Sequence, residues 1–141
     1  MTATVSIIMG SESDLDLANK CCEVLSSFSI DFSVNVFSAH RAPDLLEQHL
    51  EEAEKGDTQI YISIAGLAAH LAGAIASKTV QHVIGIHADG GPSHGFDSIL
   101  STVRMPKRVP VATLAIGLAG ASIVGYLPSQ ISSRTPNTTA V

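Results

Sequence analysis

The sequence is poor in charged and aromatic side chains. Charged residues make up 15% of its 141 positions, aromatic residues make up 4%, and tryptophan is absent. The formal net charge of -5 and the lack of a lysine and arginine cluster argue against nucleic-acid binding, because phosphate contacts dominate that affinity. The hydrophobic content of 45% is high for so short a chain and indicates that other subunits cover part of its apolar surface.

The sequence also has little cysteine and no long uninterrupted apolar run. Cys21 and Cys22 are adjacent and match no metal or redox motif, so both are expected to be reduced structural side chains. The N-terminus lacks the basic segment of a signal peptide, and the longest apolar stretch, 109–124, is interrupted and too short to span a membrane. The sequence therefore predicts a cytoplasmic protein with no membrane partner.

Apolar strand patterns alternate with amphipathic helix patterns along the chain. The predicted strands are TVSIIM, DFSVNVF, QIYISIAG, HVIGIHA and VPVATLAIG. This order favours an α/β fold, a three-layer, doubly wound, flavodoxin- or Rossmann-like sandwich with a central parallel sheet of about five strands. Residues 1–131 are expected to form one domain, and residues 132–141 a frayed polar tail. Pro128 should kink or end the last helix.

Three loops follow the first three predicted strands, and the carboxyl ends of parallel strands meet at one edge of a sheet. The first loop, GSESD, offers Ser11, Ser13 and the free amides of a helix start to a phosphate, and Asp14 to sugar hydroxyls. From this loop alone, an ordinary helix cap is the better explanation. Walker and dinucleotide-binding glycine patterns are absent from the sequence, which disfavours ATP and dinucleotides.

The second loop, SAHR, places a titratable ring beside a permanent positive charge. Arg41 can bind a phosphate through two hydrogen bonds, or it can pair with Asp44. His40 can give and take a proton near neutral pH, or it can be a hydrogen-bonded structural side chain. The third loop, AGLAAHLAG, has small residues that let a ligand approach the backbone. Its His70 lies among apolar residues, where a core histidine is the usual interpretation.

The remaining histidines carry weaker signals. His49 lies in an acidic helix and is expected at the surface, and His82 and His87 should point to opposite faces of one strand. His87, Asp89 and His94 flank a glycine-rich loop, but their spacing matches no metal motif, so no metal site is predicted. The sequence also lacks the serine elbow of a hydrolase and the strand-end aspartate of a signalling receiver domain.

Considered together, the segments MGSESD, SAHRAPD, AGLAAHLAG and DSILSTVRMPKRVPVATLAIG resemble the PurE family from about Val5 to Ala121. Arg41 and LAAHL are similar to class I members, since class II members usually carry lysine after SAH. The resemblance implies an isomerase of de novo purine biosynthesis. Such an enzyme moves a carboxylate from the exocyclic nitrogen of carboxyaminoimidazole ribonucleotide to a ring carbon, with no metal or other cofactor.

The resemblance further implies roles for individual residues and partners. His40 would be the catalytic proton shuttle, the first loop and Arg41 would bind phosphate and ribose, and the third loop would line the region for carboxylate and carbon dioxide. The implied substrate-binding residues are Ser11, Ser13, Asp14, Ser38, Ala39, Arg41, Gly66, Ala68, His70 and Leu71. The family likeness also implies a homo-octamer and functional coupling to an ATP-dependent synthetase.

Two other functions fit the same residues. One is a different enzyme on this scaffold, either a direct carboxylase of aminoimidazole ribonucleotide or a decarboxylase of a related ribonucleotide. The other is a non-catalytic module that binds a phosphoribosyl ligand, against which His40 argues because binding alone needs no proton shuttle. The chain departs from the family pattern at Leu67, Ala72, His87, Arg104, Leu118 and Pro128. Leucine at position 67 replaces a usual glycine, and His87 replaces a proline.

Overall fold

Five parallel strands form the centre of the computed structural model, which describes residues 4–134. The strands are β1 (Val5–Met9), β2 (Phe32–Val36), β3 (Ile60–Ala65), β4 (His82–His87) and β5 (Ala112–Ile116). The helices are α1 (Leu15–Ser27), α2 (Pro43–Glu54), α3 (Leu71–Ala76), α4 (Phe96–Val103) and α5 (Gly117–Arg134), with a short 3₁₀ turn at Glu12–Asp14 before α1. The strand order β2-β1-β3-β4-β5 confirms the predicted doubly wound α/β fold.

Strand β1 lies where the winding of the chain changes direction. Ile7 at its centre pairs with Val34 of β2 on one side and with Ile62 of β3 on the other. The chain runs outward from β1 to β2, then returns across β1 to β3 and continues to β4 and β5. In sheets of this kind a crevice opens beyond the carboxyl ends of the strands at this reversal.

Helices cover both faces of the sheet, and each face has its own apolar core. On one face, Ile62 of β3 packs with Ala18 of α1 and Val124 of α5, all completely buried. On the other face, Tyr61 packs with Leu50 of α2 and Ile75 of α3. A strand buried on both faces needs apolar side chains at nearly every position, which explains the continuous run IYISIA in β3.

Helices α1 and α5 approach closely because a glycine lies at their contact. A Cβ atom on Gly125 would lie 2.7 Å from Cβ of Val24 and 3.2 Å from the carbonyl oxygen of Cys21. No side chain larger than hydrogen fits at this separation without moving one helix.

Burial raises the pKa of the Cys21 thiol to about 12, which makes it an unreactive core side chain.

The structure differs from the sequence expectation at two helices. The segment LAAHLAGAIASKT has the composition of a short buried helix, but α3 begins only at Leu71, so residues 67 to 70 belong to the preceding loop. Helix α5 does not end at Pro128 but continues to Arg134, because Leu127 and Ile131 both pack against the core and hold the helix on either side of the proline. It therefore extends three residues into the segment predicted as a tail, and residues 135–141 lie outside the described part of the chain.

His49 of α2 packs against the sheet and is half-buried, whereas the sequence predicted it at the surface. Its Nε2 lies 3.0 Å from Oγ of Ser6, and its ring lies 5.0 Å from that of Phe37. Burial lowers the pKa of His49 below its ordinary value. Within residues 4–134, none of the helices is long and apolar enough to cross a membrane.

Candidate active site

A cavity of about 660 Å³ opens beyond the carboxyl ends of β1, β2 and β3. Its wall includes every residue that the sequence analysis singled out as a site candidate, namely Ser11, Ser13, Asp14, Ser38, Ala39, His40, Arg41, Gly66, Ala68, His70 and Leu71. The three loops thus converge where the chain reverses direction, because parallel strands deliver their carboxyl ends to the same edge.

The serines of the first loop cap the start of the helical segment. Oγ of Ser11 accepts hydrogen bonds from the backbone N–H of Ser13 at 3.3 Å and from its hydroxyl at 3.0 Å. The ordinary capping role considered for these serines is therefore present. Asp14 behaves differently, since it occupies the N-cap of α1 without a capping hydrogen bond from its side chain. Its carboxyl is half-buried in the cavity wall, and this burial raises its pKa.

Arg41 is held by neutral oxygen atoms. Its backbone N–H and Nε–H donate to Oγ of Ser38 at 3.2 and 3.3 Å, and a terminal nitrogen donates to the carbonyl oxygen of Gly10 at 3.4 Å. Both ion pairs found within residues 4–134 involve lysine, so the alternative that Arg41 pairs with Asp44 is wrong. The guanidinium keeps its charge available to an anion beside the first loop.

His40 and His70 are in direct contact across the cavity. Nε2 of His40 lies 2.8 Å from Nδ1 of His70, and the two rings are nearly perpendicular, at 79°. One nitrogen must donate and the other accept, so the pair holds a proton between two rings. Both side chains are exposed, and the interpretation of His70 as a core histidine is therefore wrong. Its apolar sequence neighbours pack elsewhere because His70 precedes α3.

Small apolar residues form the wall next to the histidine pair. Ala65, Gly66 and Ala68 come from the loop after β3, while Ala88 and Gly91 come from the loop after β4. The loop after β4 was not among the predicted site segments. Its glycine-rich sequence follows a parallel strand directly, and the carboxyl end of β4 lies at the same edge as those of β1 to β3. This position could have indicated that the loop after β4 contributes to the site.

Leu67 has an unusual backbone conformation at the cavity mouth. Its φ angle is +55°, a left-handed conformation that costs a residue with a side chain about 1–2 kcal/mol. The side chain is 57% exposed, and its Cδ2 lies only 2.8 Å from where a Cβ on Gly91 would be. Gly91 itself has a φ of +81°. The leucine therefore fits into a notch that glycine at position 91 leaves open.

A buried chain of hydrogen bonds supports the cavity wall from beneath. His87 is 1% exposed, with Nδ1 3.1 Å from Oγ of Ser98 and Nε2 3.1 Å from Oγ1 of Thr102. The Ser98 hydroxyl donates to the carbonyl oxygen of Ala65 at 3.0 Å, and the Thr113 hydroxyl donates to Thr102 at 2.9 Å. Burial lowers the pKa of His87, which keeps the ring neutral and able to accept one hydrogen bond while donating another.

The structure does not bring His87, Asp89 and His94 together. His87 is bonded to hydroxyl groups, and a carboxylate oxygen of Asp89 lies 3.0 Å from the Cβ position of Gly117 at the start of α5. Across the part of the chain that the structure describes, no group of histidine, cysteine, aspartate or glutamate has the arrangement of a metal site.

The fold and the cavity define a class of protein. An unpaired arginine, serine hydroxyls and a pair of imidazole rings share one cavity at the reversal point of a doubly wound sheet. Such a combination of anion-binding and proton-transferring groups is typical of an enzyme that acts on a small anionic molecule.

Comparisons with known proteins then identify the family. The sequence model of the AIR carboxylase family matches residues 4–140. The chain is 47% identical over 131 residues to the N5-carboxyaminoimidazole ribonucleotide mutase of Pseudomonas aeruginosa, covering 93% of this chain and 80% of that protein. It is 43% identical over 130 residues to the enzyme of the same name from Haemophilus influenzae, covering 92% and 79%. The chain belongs to the AIR carboxylase family.

Solved structures agree with this assignment. A crystal structure of a PurE2 variant from Treponema denticola aligns with a TM-score of 0.81 at 29% identity, covering 94% of this chain and 81% of that one. A crystal structure of PurE from the same organism aligns with a TM-score of 0.73 at 28% identity, covering 92% of each chain. The predicted PurE resemblance is therefore confirmed.

Proposed function

We propose that this protein is an N5-carboxyaminoimidazole ribonucleotide mutase of purine biosynthesis. The observation that carries this proposal is the contact between His40 and His70 in the same cavity as the unpaired Arg41. The curated relatives at 43% and 47% identity bear the name of this activity and support the same reaction. The reaction moves a carboxylate from the exocyclic nitrogen of the substrate to a carbon of its imidazole ring.

The polar side of the cavity fits the phosphate and ribose. Arg41 offers a guanidinium to the phosphate, and the hydroxyls of Ser11 and Ser13 lie beside it at the helix start. Asp14, which makes no capping bond, is available to accept hydrogen bonds from ribose hydroxyls. This placement directs the imidazole ring of the substrate toward the two histidines.

The histidine pair supplies the proton chemistry. In the first step the bond between nitrogen and the carboxylate carbon breaks, carbon dioxide leaves, and the electron pair stays on the nitrogen, which takes a proton from His40. In the second step the ring carbon forms a bond to carbon dioxide, and the proton on that carbon passes to His40. The sum is an isomerisation with no net proton change. His70, 2.8 Å away, stabilises whichever protonation state His40 holds.

The apolar side of the cavity suits the carbon dioxide formed between the two steps. Gly66, Ala68 and Leu71 present little polar surface next to His70. Carbon dioxide needs no hydrogen-bond partners, so a wall of small apolar side chains suits it. Ser38 and Ala39 complete the wall beneath His40, and Ser38 also fixes Arg41.

The assembly proposed for the chain is a homo-octamer. Large apolar side chains are exposed along the outer edge of the sheet, which we call the β5 edge, made of Phe96, Leu100, Val103, Leu114 and Leu118. Exposed apolar side chains beside an edge strand are usually buried by another protein surface, and in the proposed octamer other copies of the chain bury them. The protein is proposed to work in the cytoplasm, with its substrate supplied by an ATP-dependent synthetase.

The decisive experiment incubates the purified protein with each isomer of carboxyaminoimidazole ribonucleotide separately, without added bicarbonate. Interconversion in both directions is expected for the native chain. His40→Asn should lose it while still binding ligand, and His82→Asn, an exposed histidine at the opposite end of β4, should retain it. Formation of product only from aminoimidazole ribonucleotide and bicarbonate would indicate the direct carboxylase instead. Binding without interconversion would indicate the phosphoribosyl-binding module.

A further inference from the structure

His87 and Ser98 form a buried hydrogen-bonded pair behind the cavity wall. Nδ1 of His87 lies 3.1 Å from Oγ of Ser98, and both side chains are almost completely buried. The Ser98 hydroxyl lies 3.0 Å from the carbonyl oxygen of Ala65, which belongs to the wall. The proposed mechanism uses neither member of this pair to bind the phosphate or to transfer the proton.

The protons of this network can be assigned because its last acceptor is a carbonyl oxygen, which cannot donate. The single proton of the Ser98 hydroxyl lies toward Ala65, since two oxygen atoms 3.0 Å apart repel each other without a proton between them. Ser98 then accepts from His87, so the ring carries its proton on Nδ1. Nε2 of the neutral ring accepts from the Thr102 hydroxyl at 3.1 Å, and Thr102 accepts from Thr113 at 2.9 Å.

The other tautomer of His87 would remove the hydrogen bond to the wall. With the ring proton on Nε2, Nδ1 of His87 would accept the Ser98 proton, and the carbonyl oxygen of Ala65 would lose its bond to the serine. The Thr102 hydroxyl would then turn to the carbonyl oxygen of Ile99, 3.1 Å away. The family pattern has proline at position 87, whose side chain offers Ser98 no competing acceptor. In this chain the tautomer of His87 therefore decides where the serine proton goes.

The carbonyl of Ala65 fixes the orientation of the peptide bond that joins it to Gly66. Its oxygen accepts from the backbone N–H of Ala88 at 3.0 Å as well as from Ser98, so it points away from β1. The peptide bond is trans, so the N–H of Gly66 points the opposite way, toward the first loop and the cavity. Within residues 4–134, no hydrogen bond from this N–H to another backbone group is found. Two hydrogen bonds to the carbonyl polarise the peptide and strengthen this N–H as a donor.

We infer that Ser98 and His87 are positioning residues of the proposed mutase, which hold the N–H of Gly66 toward the substrate. This inference rests on the proposed function, in which the wall at Gly66 faces the carboxylate that is transferred. His87 sets the direction of the Ser98 hydroxyl, and that hydroxyl holds the peptide bond. The phosphate is bound elsewhere, by Arg41 and the first loop, so the pair acts on kcat rather than on KM.

The tautomer of His87 is measured on the native chain without substrate. The protein is labelled with ¹⁵N-histidine, and solid-state NMR distinguishes protonated from unprotonated ring nitrogens by their chemical shifts. The signals that are missing from His87→Gln belong to His87. At a pH above the ordinary histidine pKa of about 6.5, we expect the proton of this ring on Nδ1 and not on Nε2.

The kinetics of isomer interconversion test the role of the pair in the reaction. Ser98→Ala removes the hydroxyl and should lower kcat about 3- to 10-fold, the loss expected for one hydrogen bond, while KM stays within about twofold. Ser98→Cys keeps a weak donor of similar size and should retain part of the lost rate. Ser101→Ala is the matched control, because the Ser101 hydroxyl donates to the carbonyl oxygen of Asp97 within the same helix. It should keep the native kcat and KM.

The outcomes separate this inference from the proposed function. A native chain that does not interconvert the isomers refutes the mutase and with it this role of Ser98, whichever tautomer His87 shows. A native chain that interconverts them but carries the His87 proton on Nε2 overturns the inference and leaves the mutase standing. A Ser98→Ala variant with native kcat has the same meaning. Because the tautomer is measured on the native chain, it decides the inference even if Ser98→Ala does not fold.

Discussion

At the scale of single residues, the hydrogen bonds that hold Arg41 in the cavity wall leave its positive charge without a negative partner. Arg41 is fixed by Ser38 and by a backbone carbonyl, and neither partner neutralises the guanidinium. The Arg41 side chain is therefore positioned before the ligand arrives, and little conformational entropy is lost on binding. An arginine that was paired with a carboxylate would first have to break that ion pair, which would weaken ligand binding.

Arg41→Ala is expected to weaken ribonucleotide binding by about 10- to 100-fold, because hydrogen bonds to charged groups contribute about 1.5–3 kcal/mol. The measurement is calorimetric titration in a His40→Asn background, where turnover does not disturb the equilibrium. Arg41→Lys keeps the charge but not the two-pronged geometry and should fall between the two. Equal affinity in the Ala variant would place the phosphate elsewhere.

His87 should make stability depend on pH. Its folded-state pKa lies below the ordinary value of about 6.5, because burial disfavours the charged ring. The unfolded chain therefore binds the proton more readily, and the free energy of unfolding falls as the pH is lowered through about 6.5 toward the folded pKa. His49 contributes with the same sign, so removal of His87 should reduce this pH dependence without abolishing it.

Urea unfolding of the native chain and of His87→Gln between pH 8 and pH 5.5 measures this effect. The variant is expected to lose less stability over that interval than the native chain. His82→Gln is the matched control, since that histidine lies on the same strand but is exposed, and it should follow the native curve. Parallel curves for all three proteins would mean that His87 has the same pKa in the folded and the unfolded chain, which would contradict the effect of burial.

At the scale of elements, the sequence predicted what depends on local patterns and missed what depends on distant contacts. Runs of β-branched residues identified β1 and β3, and the serine-rich loop after β1 marked the start of the helical segment that leads into α1. The continuation of α5 beyond Pro128 could not be predicted, because the packing of Leu127 and Ile131 against the core outweighs the cost of a proline inside a helix.

In the candidate site, too, residues at single strand ends could be predicted from the sequence, whereas contacts between loops could not. Candidates on the first three loops could be identified from residue types at strand ends, and the structure brings them into one cavity. The contact between His40 and His70 and the contact between Leu67 and Gly91 each join two loops. A sequence pattern within one segment cannot predict how close its side chains come to those of another loop. The family resemblance placed His70 in the site, whereas its local sequence suggested a core residue.

Gly125→Ala should destabilise the protein by about 1–3 kcal/mol, although alanine is the better helix former. The added methyl group collides with Val24 on α1 and pushes the helices apart. Urea unfolding measures the change in the free energy of unfolding. In a double-mutant cycle, Val24→Gly removes both Val24 atoms that the new methyl group would meet, so the double variant should lose less stability than the sum of the single losses. A neutral or stabilising Gly125→Ala would contradict the close helix contact.

At the scale of the whole molecule, the chain is more apolar than its own fold requires. Both cores are complete, and yet Phe96, Leu100 and Leu118 remain more than half exposed at the β5 edge. The homo-octamer proposed above would account for these exposed side chains and for the low content of charged residues, since a surface shared between copies is depleted in charge.

Leu100→Glu should break the proposed octamer into smaller species, because a carboxylate in an apolar interface loses its hydration without a partner. Sedimentation velocity measures the mass of the species in solution. Val80→Glu introduces the same charge at a residue that is 96% exposed and not part of the β5 edge, and it should leave the assembly intact. An unchanged mass for Leu100→Glu would exclude the β5 edge from the interface.

The packing of α1 against α5 joins the first and the last helix of the described chain, which are synthesised far apart in time. On the ribosome, α1 emerges with its apolar face, including Leu17 and Leu25, while the helix that covers this face is the last described element to be synthesised. At about 5–20 residues per second, the nascent chain carries that uncovered face for several seconds. The contact between α1 and α5 therefore cannot form until nearly all of the described chain has been synthesised.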